Sequence, residues 1–328
     1  MNQVKAAILH RESMIIDGLN ASYFFEEEVL KRLKKGGITA VHATVAAWHI
    51  LPETIHLIAG CFSLFERHAD LIMPVHSVED IERAKAKDRV GFILGFQDTN
   101  PIDDNPNLLA IYYALGVRII QLTYNHRNRA GYGCMAPEDE GLTPFGRDLI
   151  VEMNRRGILI DLSHCGPRTT LEAIEASQSP VAFTHANAVA LASHPRNKTD
   201  EALRTLAARE GVVGVVALPA MLTGQAQASL NDYLAAIDYL VNLIGVDHVG
   251  IGPDFMEEMP EEVIAPALRG ISQADKEKLF GSKEVQGFES ISDCPKVTEG
   301  LLTRGYNPEE VKKIMGGNWM RLYKQVWQ

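Results

Sequence analysis

The sequence predicts a (β/α)8 barrel with extra helices at its C-terminal end, and three observations carry that prediction. About eight short apolar runs alternate with helical segments, the number of strand-then-helix units that closes such a barrel. The stretch 158–187 reads as strand, polar tip, helix, strand, polar tip. That is a βαβ unit, in which both strand C-termini open on one side of a parallel sheet. The first strand runs into Asp17-Gly18-Leu19-Asn20-Ala21 rather than a glycine-rich phosphate turn, which places the doubly wound open sheet second.

Taken in order, Met14 to Asp17 is the first apolar strand. Phe24 to Lys35 is an amphipathic helix with acids early and bases late, as the helix dipole favours, and Gly36-Gly37 ends it. Ile38 to Val45 is the second strand, carrying His42, and Pro52 to His68 is the helix behind it. Arg89 to Phe96 is a strand whose tip reads Gln97-Asp98-Thr99-Asn100-Pro101. Leu108 to Leu115 is helical, and Val117 to Leu122 is a strand ending in Thr123-Tyr124-Asn125-His126. The segment 127–140 is polar, glycine-rich and long for a βα connection, hence a candidate active-site loop. Phe145 to Arg155 is a helix, Ile158 to Leu162 a strand, Leu171 to Ser177 a helix and Pro180 to Phe183 a strand. A helix over Asp200 to Glu210, a strand over Val212 to Leu218, a helix over Leu230 to Ile244 and a strand over His248 to Gly252 follow. Beyond a polar segment starting near Ile271, helices over Pro295 to Arg304 and Pro308 to Met315 begin with proline and end at or near glycine.

At 328 residues and 46% hydrophobic, the chain can bury one large core, and a single domain over 1–328 is expected. A net charge of −10 disfavours nucleic acid or an anionic membrane as partner and favours a small-molecule substrate. The first apolar patch is interrupted by His10, Arg11 and Glu12, so it lacks the form of a secretion signal, and no run is long enough to span a bilayer. Cys61, Cys134, Cys165 and Cys294 lie far apart without a C-x-x-C pair, which reads as reduced thiols in a cytoplasmic protein.

His164 and His185 fall at the ends of successive strands and therefore at one rim of the sheet. Neutral imidazoles on rigid strand ends are common divalent-metal ligands; the alternative is a pair of histidines bonded to loop backbone. Asp254 ends the last barrel strand at the same rim, where a carboxylate can bind metal or act as a general base.

Six segments together resemble a known family. They are Gly141-Leu142-Thr143-Pro144-Phe145-Gly146-Arg147, Met153-Asn154-Arg155, Ile160-Asp161-Leu162-Ser163-His164, the His185 segment, His194-Pro195-Arg196-Asn197, and the run from Asp247 to Phe255. With Met315-Gly316-Gly317-Asn318-Trp319 they extend the likeness over nearly the whole chain. The family is that of the membrane (renal) dipeptidases, metal-dependent amidohydrolases built on a (β/α)8 barrel. The resemblance implies that His164 and His185 are metal ligands, that Asp254 is the family's aspartate and that Arg196 binds the substrate carboxylate. A homo-oligomer is expected from the resemblance alone.

The chain departs from the family at one half of its two-zinc centre. The His-x-Asp position reads Leu19-Asn20-Ala21, the bridging glutamate corresponds to Gln97, and a substrate-facing histidine corresponds to Tyr124. Leu and Ala cannot bind metal, and a neutral amide is a poor bridge between two cations. Two readings follow. In the first, one divalent ion, zinc or similar, sits on His164 and His185 with Gln97, Asp254 or water completing the shell. The chain then hydrolyses a dipeptide-like amide, with Asp254 as base and Tyr124 as oxyanion donor. In the second the metal is lost, and the barrel is a small-molecule binding protein or a metal-free biosynthetic enzyme. His42 is either a replacement ligand or a buried histidine bonded to backbone. Cys165 beside His164, and Cys134 in the long loop, are the thiols to weigh as nucleophiles.

Overall fold

The computed structural model describes residues 3–265 and 285–327. The polar segment expected from Ile271 lies, up to residue 284, outside the described residues. Eleven strands are named here in chain order: β1 (Ile16–Asn20), β2 (Ala40–Ala46), β3 (Ile72–Pro74), β4 (Val90–Phe96), β5 (Val117–Gln121), β6 (Leu159–Asp161), β7 (Ala182–Ala186), β8 (Val212–Val215), β9 (Ala228–Ser229), β10 (Val249–Ile251) and β11 (Val285–Gln286).

Eight of them form the barrel in the order β1-β2-β4-β5-β6-β7-β8-β10, all neighbours parallel. The barrel is brought nearly closed just beyond its last ladder. Asp254 N donates to Leu19 O at 3.2 Å and Ala21 N to Phe255 O at 2.8 Å, joining the ends of β10 and β1. The strands are buried along almost their whole length, which is why they appear in sequence as continuous apolar runs rather than alternating ones.

The expected helices are present with shifted ends. Glu27–Lys35, Leu51–Arg67, Leu108–Ala114, Pro144–Arg156, Pro167–Ala176, Asp200–Ala208 and Leu230–Ile244 follow or link the barrel strands, and Cys294–Thr303 and Pro308–Lys312 lie in the tail. His185, expected at a strand tip, lies inside β7. Several features were not expected, two of them before β4. An N-terminal helix spans Gln3–Glu12, and a short strand and helix, β3 and Val78–Ala86, fill the gap before β4. β3 pairs with residues 90–92 of β4, while β5 takes the same edge from Leu94 onward.

The C-terminal helix, Asn318–Val326, plugs the end of the barrel opposite the strand tips. Trp319 is fully buried and donates its indole N–H to Ile251 O at 3.0 Å. Gly18 and Gly250 leave room for its ring: a Cβ on either would sit about 2.5 Å from it, closer than van der Waals contact. Gly316 is small for the same reason, since a Cβ there would lie 2.3 Å from Met14 O. Asn318 fixes the turn by donating to Val246 O and Val249 O, both at 2.7 Å. The Gly-Gly-Asn-Trp segment is thus the joint that seats the plug.

Candidate active site

Asp161, the last residue of β6, organises the rim. Its Oδ1 accepts from Ser163 N (3.0 Å), Ser163 Oγ (2.6 Å) and Thr184 N (3.0 Å), and its Oδ2 accepts from Thr184 Oγ1 (2.7 Å). Ser163 Oγ in turn accepts from His185 N at 3.1 Å. One buried carboxylate therefore ties the two strand ends that carry His164 and His185.

The hydrogen bonds also fix both tautomers. The single Thr184 hydroxyl hydrogen goes to Asp161, so Thr184 Oγ1 accepts from His185 Nδ1 at 2.8 Å. His164 Nδ1 faces Asn125 Oδ1 at 2.7 Å and donates to it. Each imidazole therefore has its lone pair on Nε2, and the two Nε2 atoms converge at 2.9 Å. Burial and the charge of Arg196 hold both histidines well below the usual imidazole range, so neither ring readily takes a proton. Two facing lone pairs are stabilised by a cation between them, and neutral imidazoles whose Nδ1–H groups are committed to oxygen acceptors are the form in which histidine binds metal.

Beside His164 lies a cavity of about 360 Å³, lined also by Tyr124, Asn125, Gln97, His194, Arg196 and Asp254. Tyr124 stacks on His164, with ring centroids 4.2 Å apart, and Trp48 meets Tyr124 edge-on at 5.7 Å. Arg196 donates from Nη2 to His185 O at 3.0 Å, while its buried Nε has no protein partner. Asp254 sits at φ +62°. Among the described residues no hydrogen bond reaches its carboxylate, and burial, only partly offset by Arg196, pushes it up to about 7. Gln97 donates from its amide nitrogen to Thr44 Oγ1 at 2.9 Å.

The residues present fit one cation and not two. The two Nε2 atoms are suitable donors, yet among the described residues no three His, Cys, Asp or Glu side chains converge as a metal cluster. Leu19 is fully buried, and the Asn20 side chain is used up by Asp17 and by Ser22 N. His42 follows the backbone alternative, with Nδ1 against Gly18 O at 2.8 Å, and burial lowers it to about 4. Cys165 accepts from Thr123 Oγ1 at 3.3 Å and burial raises its thiol to about 12; Cys134 lies 3.6 Å from Asn125 Oδ1 and is raised too. Neither thiol is poised as a nucleophile.

The long loop is held at both ends. Asn128 donates to Asp98 Oδ1 (2.7 Å) and Leu122 O (2.8 Å), and Asp139 accepts from Arg168 N (2.7 Å) and Thr169 Oγ1 (2.7 Å) at the start of the 167–176 helix. Cys134 N donates to His164 O at 2.8 Å, so the loop also braces the histidine turn. Lys198 braces it from beneath, donating to Leu162 O and Cys165 O at 2.8 Å each. Sequence reasoning gave no role to Asp161, Thr184, Asn125, Lys198 or Trp48. For Asp161 and Thr184 a signal existed, a polar residue just ahead of each histidine at the end of an apolar run.

Comparison with known proteins gives a consistent picture. The model of the membrane dipeptidase family (peptidase family M19) matches residues 6–265 and 280–328. Dipeptidase tcpJ of Claviceps purpurea is 30% identical over 266 residues, covering 80% of this chain and 57% of its own length. Dipeptidase aclJ of Aspergillus oryzae is 30% identical over 286 residues, 85% of this chain and 62% of its own. The chain thus spans about three fifths of the length of these two relatives. An amidohydrolase from Pseudomonas aeruginosa is 35% identical and superposes with a TM-score of 0.89, covering 98% of this chain and 99% of that one.

Proposed function

Because the chain belongs to the membrane dipeptidase family, we propose that it is a metal-dependent hydrolase cleaving the amide bond of a dipeptide or similar small molecule. The observation that carries this reading is the convergence of the His164 and His185 Nε2 lone pairs at 2.9 Å beside a cavity that His164 lines. A single divalent cation such as zinc on these nitrogens, with Gln97 or water beside them, would polarise the scissile carbonyl and acidify a water molecule.

The chain's own groups supply the rest. Arg196, which lines the cavity and whose buried Nε has no protein partner, binds the substrate carboxylate. Asp254, raised to about 7, takes a proton from the attacking water and passes it to the leaving amine. The Tyr124 hydroxyl stays protonated because burial raises it, and it donates to the carbonyl oxygen as charge builds there. Asp161 and Asn125 hold the two imidazoles in the tautomer that leaves Nε2 free. Among the described residues no helix is long and apolar enough to cross a membrane, and all four cysteines are free, which suits a reducing compartment such as the cytoplasm.

The test is release of free amino acid from a panel of dipeptides by the purified full chain, beside His185→Ala. Turnover lost in the variant with its cooperative melt retained is the expected result. Full activity in His185→Ala refutes the mechanism, and no turnover by either protein points to the binding or metal-free alternative.

A further inference from the structure

The cavity's charged groups and its aromatic cluster come from different halves of the barrel. Arg196, His164, Asn125 and Asp254 come from the β5-to-β10 side, whereas the β1, β2 and β4 side supplies the aromatic and aliphatic cluster Phe24, Phe25, Trp48, Leu57, Leu64 and Phe92, with Thr44, His49 and Gln97 as polar groups among them. The side chains between the two poles stand in a row. Arg196 bonds His185 O, His185 meets His164 (centroids 5.0 Å apart), His164 stacks on Tyr124 and Tyr124 meets the edge of Trp48. A ligand whose carboxylate sits on Arg196 and whose amide lies over the histidines must therefore send its other end into the aromatic wall.

We infer that this wall is a specificity pocket for an aromatic or long aliphatic side chain on the N-terminal residue of the dipeptide, an assignment that rests on the hydrolase reading above. At 360 Å³ the cavity is in the range that encloses a drug-sized ligand, on the order of 300–1,000 Å³, so it has room for a bulky side chain beside the peptide unit. Several of its rings already meet edge-to-face, as Phe24 does Phe92 (5.0 Å, 74°), a geometry that accepts a further ring. Met135, Met256 and Met259, from the loops after β5 and β10, add flexible, polarisable side chains to the lining that adapt to an apolar guest.

The experiment compares Phe-Ala, Ala-Phe and Ala-Ala, each with the second residue in L and D form, on the full chain. Dissociation constants come from calorimetry, with kcat/KM measured in parallel. Burial of one aromatic side chain predicts Phe-Ala ahead of both others by about tenfold or more. Narrowing the pocket with Cys61→Trp, or with Leu57→Trp if the first variant does not fold, should bring the Phe-Ala to Ala-Ala ratio close to one. Equal affinity for all three, or a preference for Ala-Phe, overturns the inference while leaving the hydrolase reading intact. If no dipeptide binds or is cleaved, the hydrolase reading fails and the inference fails with it.

Discussion

Replacing Asp254 with asparagine should stabilise the metal-free protein while removing its activity, and the stabilisation should depend on pH. The carboxylate lines a largely apolar cavity without a hydrogen-bond donor among the described residues, and its pKa moves from 3.8 to about 7 on folding. A folded pKa above the unfolded one means that the folded state binds the proton more tightly, so stability is lost as pH rises from about 4 to about 7. For a shift of this size the loss between pH 5 and pH 8 is ~2–3 kcal/mol, and about 2 kcal/mol once the side chain's partial exposure to the cavity is allowed for. Asparagine has the same shape, carries no charge and tolerates the φ of +62° at this position better than most residues. With an unfolding entropy of about 2 cal/mol/K per residue, the gain in Tm of the variant over the parent should grow by about 3 °C between pH 5 and pH 8. Thermal melts of both proteins after chelator dialysis provide the assay. A difference independent of pH, or a variant less stable at pH 8, would show that the carboxylate is compensated in the fold and refute the reasoning.

The same group sets the pH profile: if Asp254 must be ionised, kcat/KM falls about tenfold per unit on the acid side of its pKa, which a bound cation draws below the metal-free value of about 7, and Asp254→Asn removes that limb along with most turnover. Arg196→Lys keeps the charge but loses the planar fork, so KM for dipeptides should rise tenfold or more with a smaller change in kcat; an unchanged KM places the substrate carboxylate elsewhere. Asp161→Ala leaves the donors of Ser163 and Thr184 unpaired in a buried site and should cost at least ~3 kcal/mol in denaturant melts, whereas a loss below 1 kcal/mol would mean that Asp161 does not clamp the two strands.

The barrel was legible because each parallel strand is buried on both faces and appears as an apolar run punctuated by polar tips. That His164, His185 and Asp254 lie near one rim was legible because strand ends share that rim, although His185 sits within β7 rather than beyond it. The piece around β3 was not: its strand spans only Ile72–Pro74 and shares an edge of β4 with β5, an arrangement set by tertiary pairing rather than local pattern. The N-terminal helix buries only Ala6, Leu9 and His10 and leaves Val4 and Ile8 exposed, so its apolar residues trace no clear face. Trp48 and Asn125 act through loops that meet across the barrel mouth, and nothing in their sequence neighbourhood marks that meeting. Leu19 and Ala21 stand where the resemblance placed a metal-binding pair, as the sequence alone displays; that Asn20 is turned away by Asp17 and Ser22 could be seen only in three dimensions.

The central claim is that His164 and His185 together hold one divalent ion for hydrolysis. Elemental analysis of the full chain, purified without chelator or affinity tag, tests it most directly, beside His164→Ala and the triple variant Leu19→His, Ala21→Asp, Gln97→Glu. About one equivalent of zinc or a similar ion per chain, lost in His164→Ala and rising towards two in the triple variant, is the predicted result. A chain that holds no metal even after incubation with zinc, or that keeps its metal without His164, would contradict it.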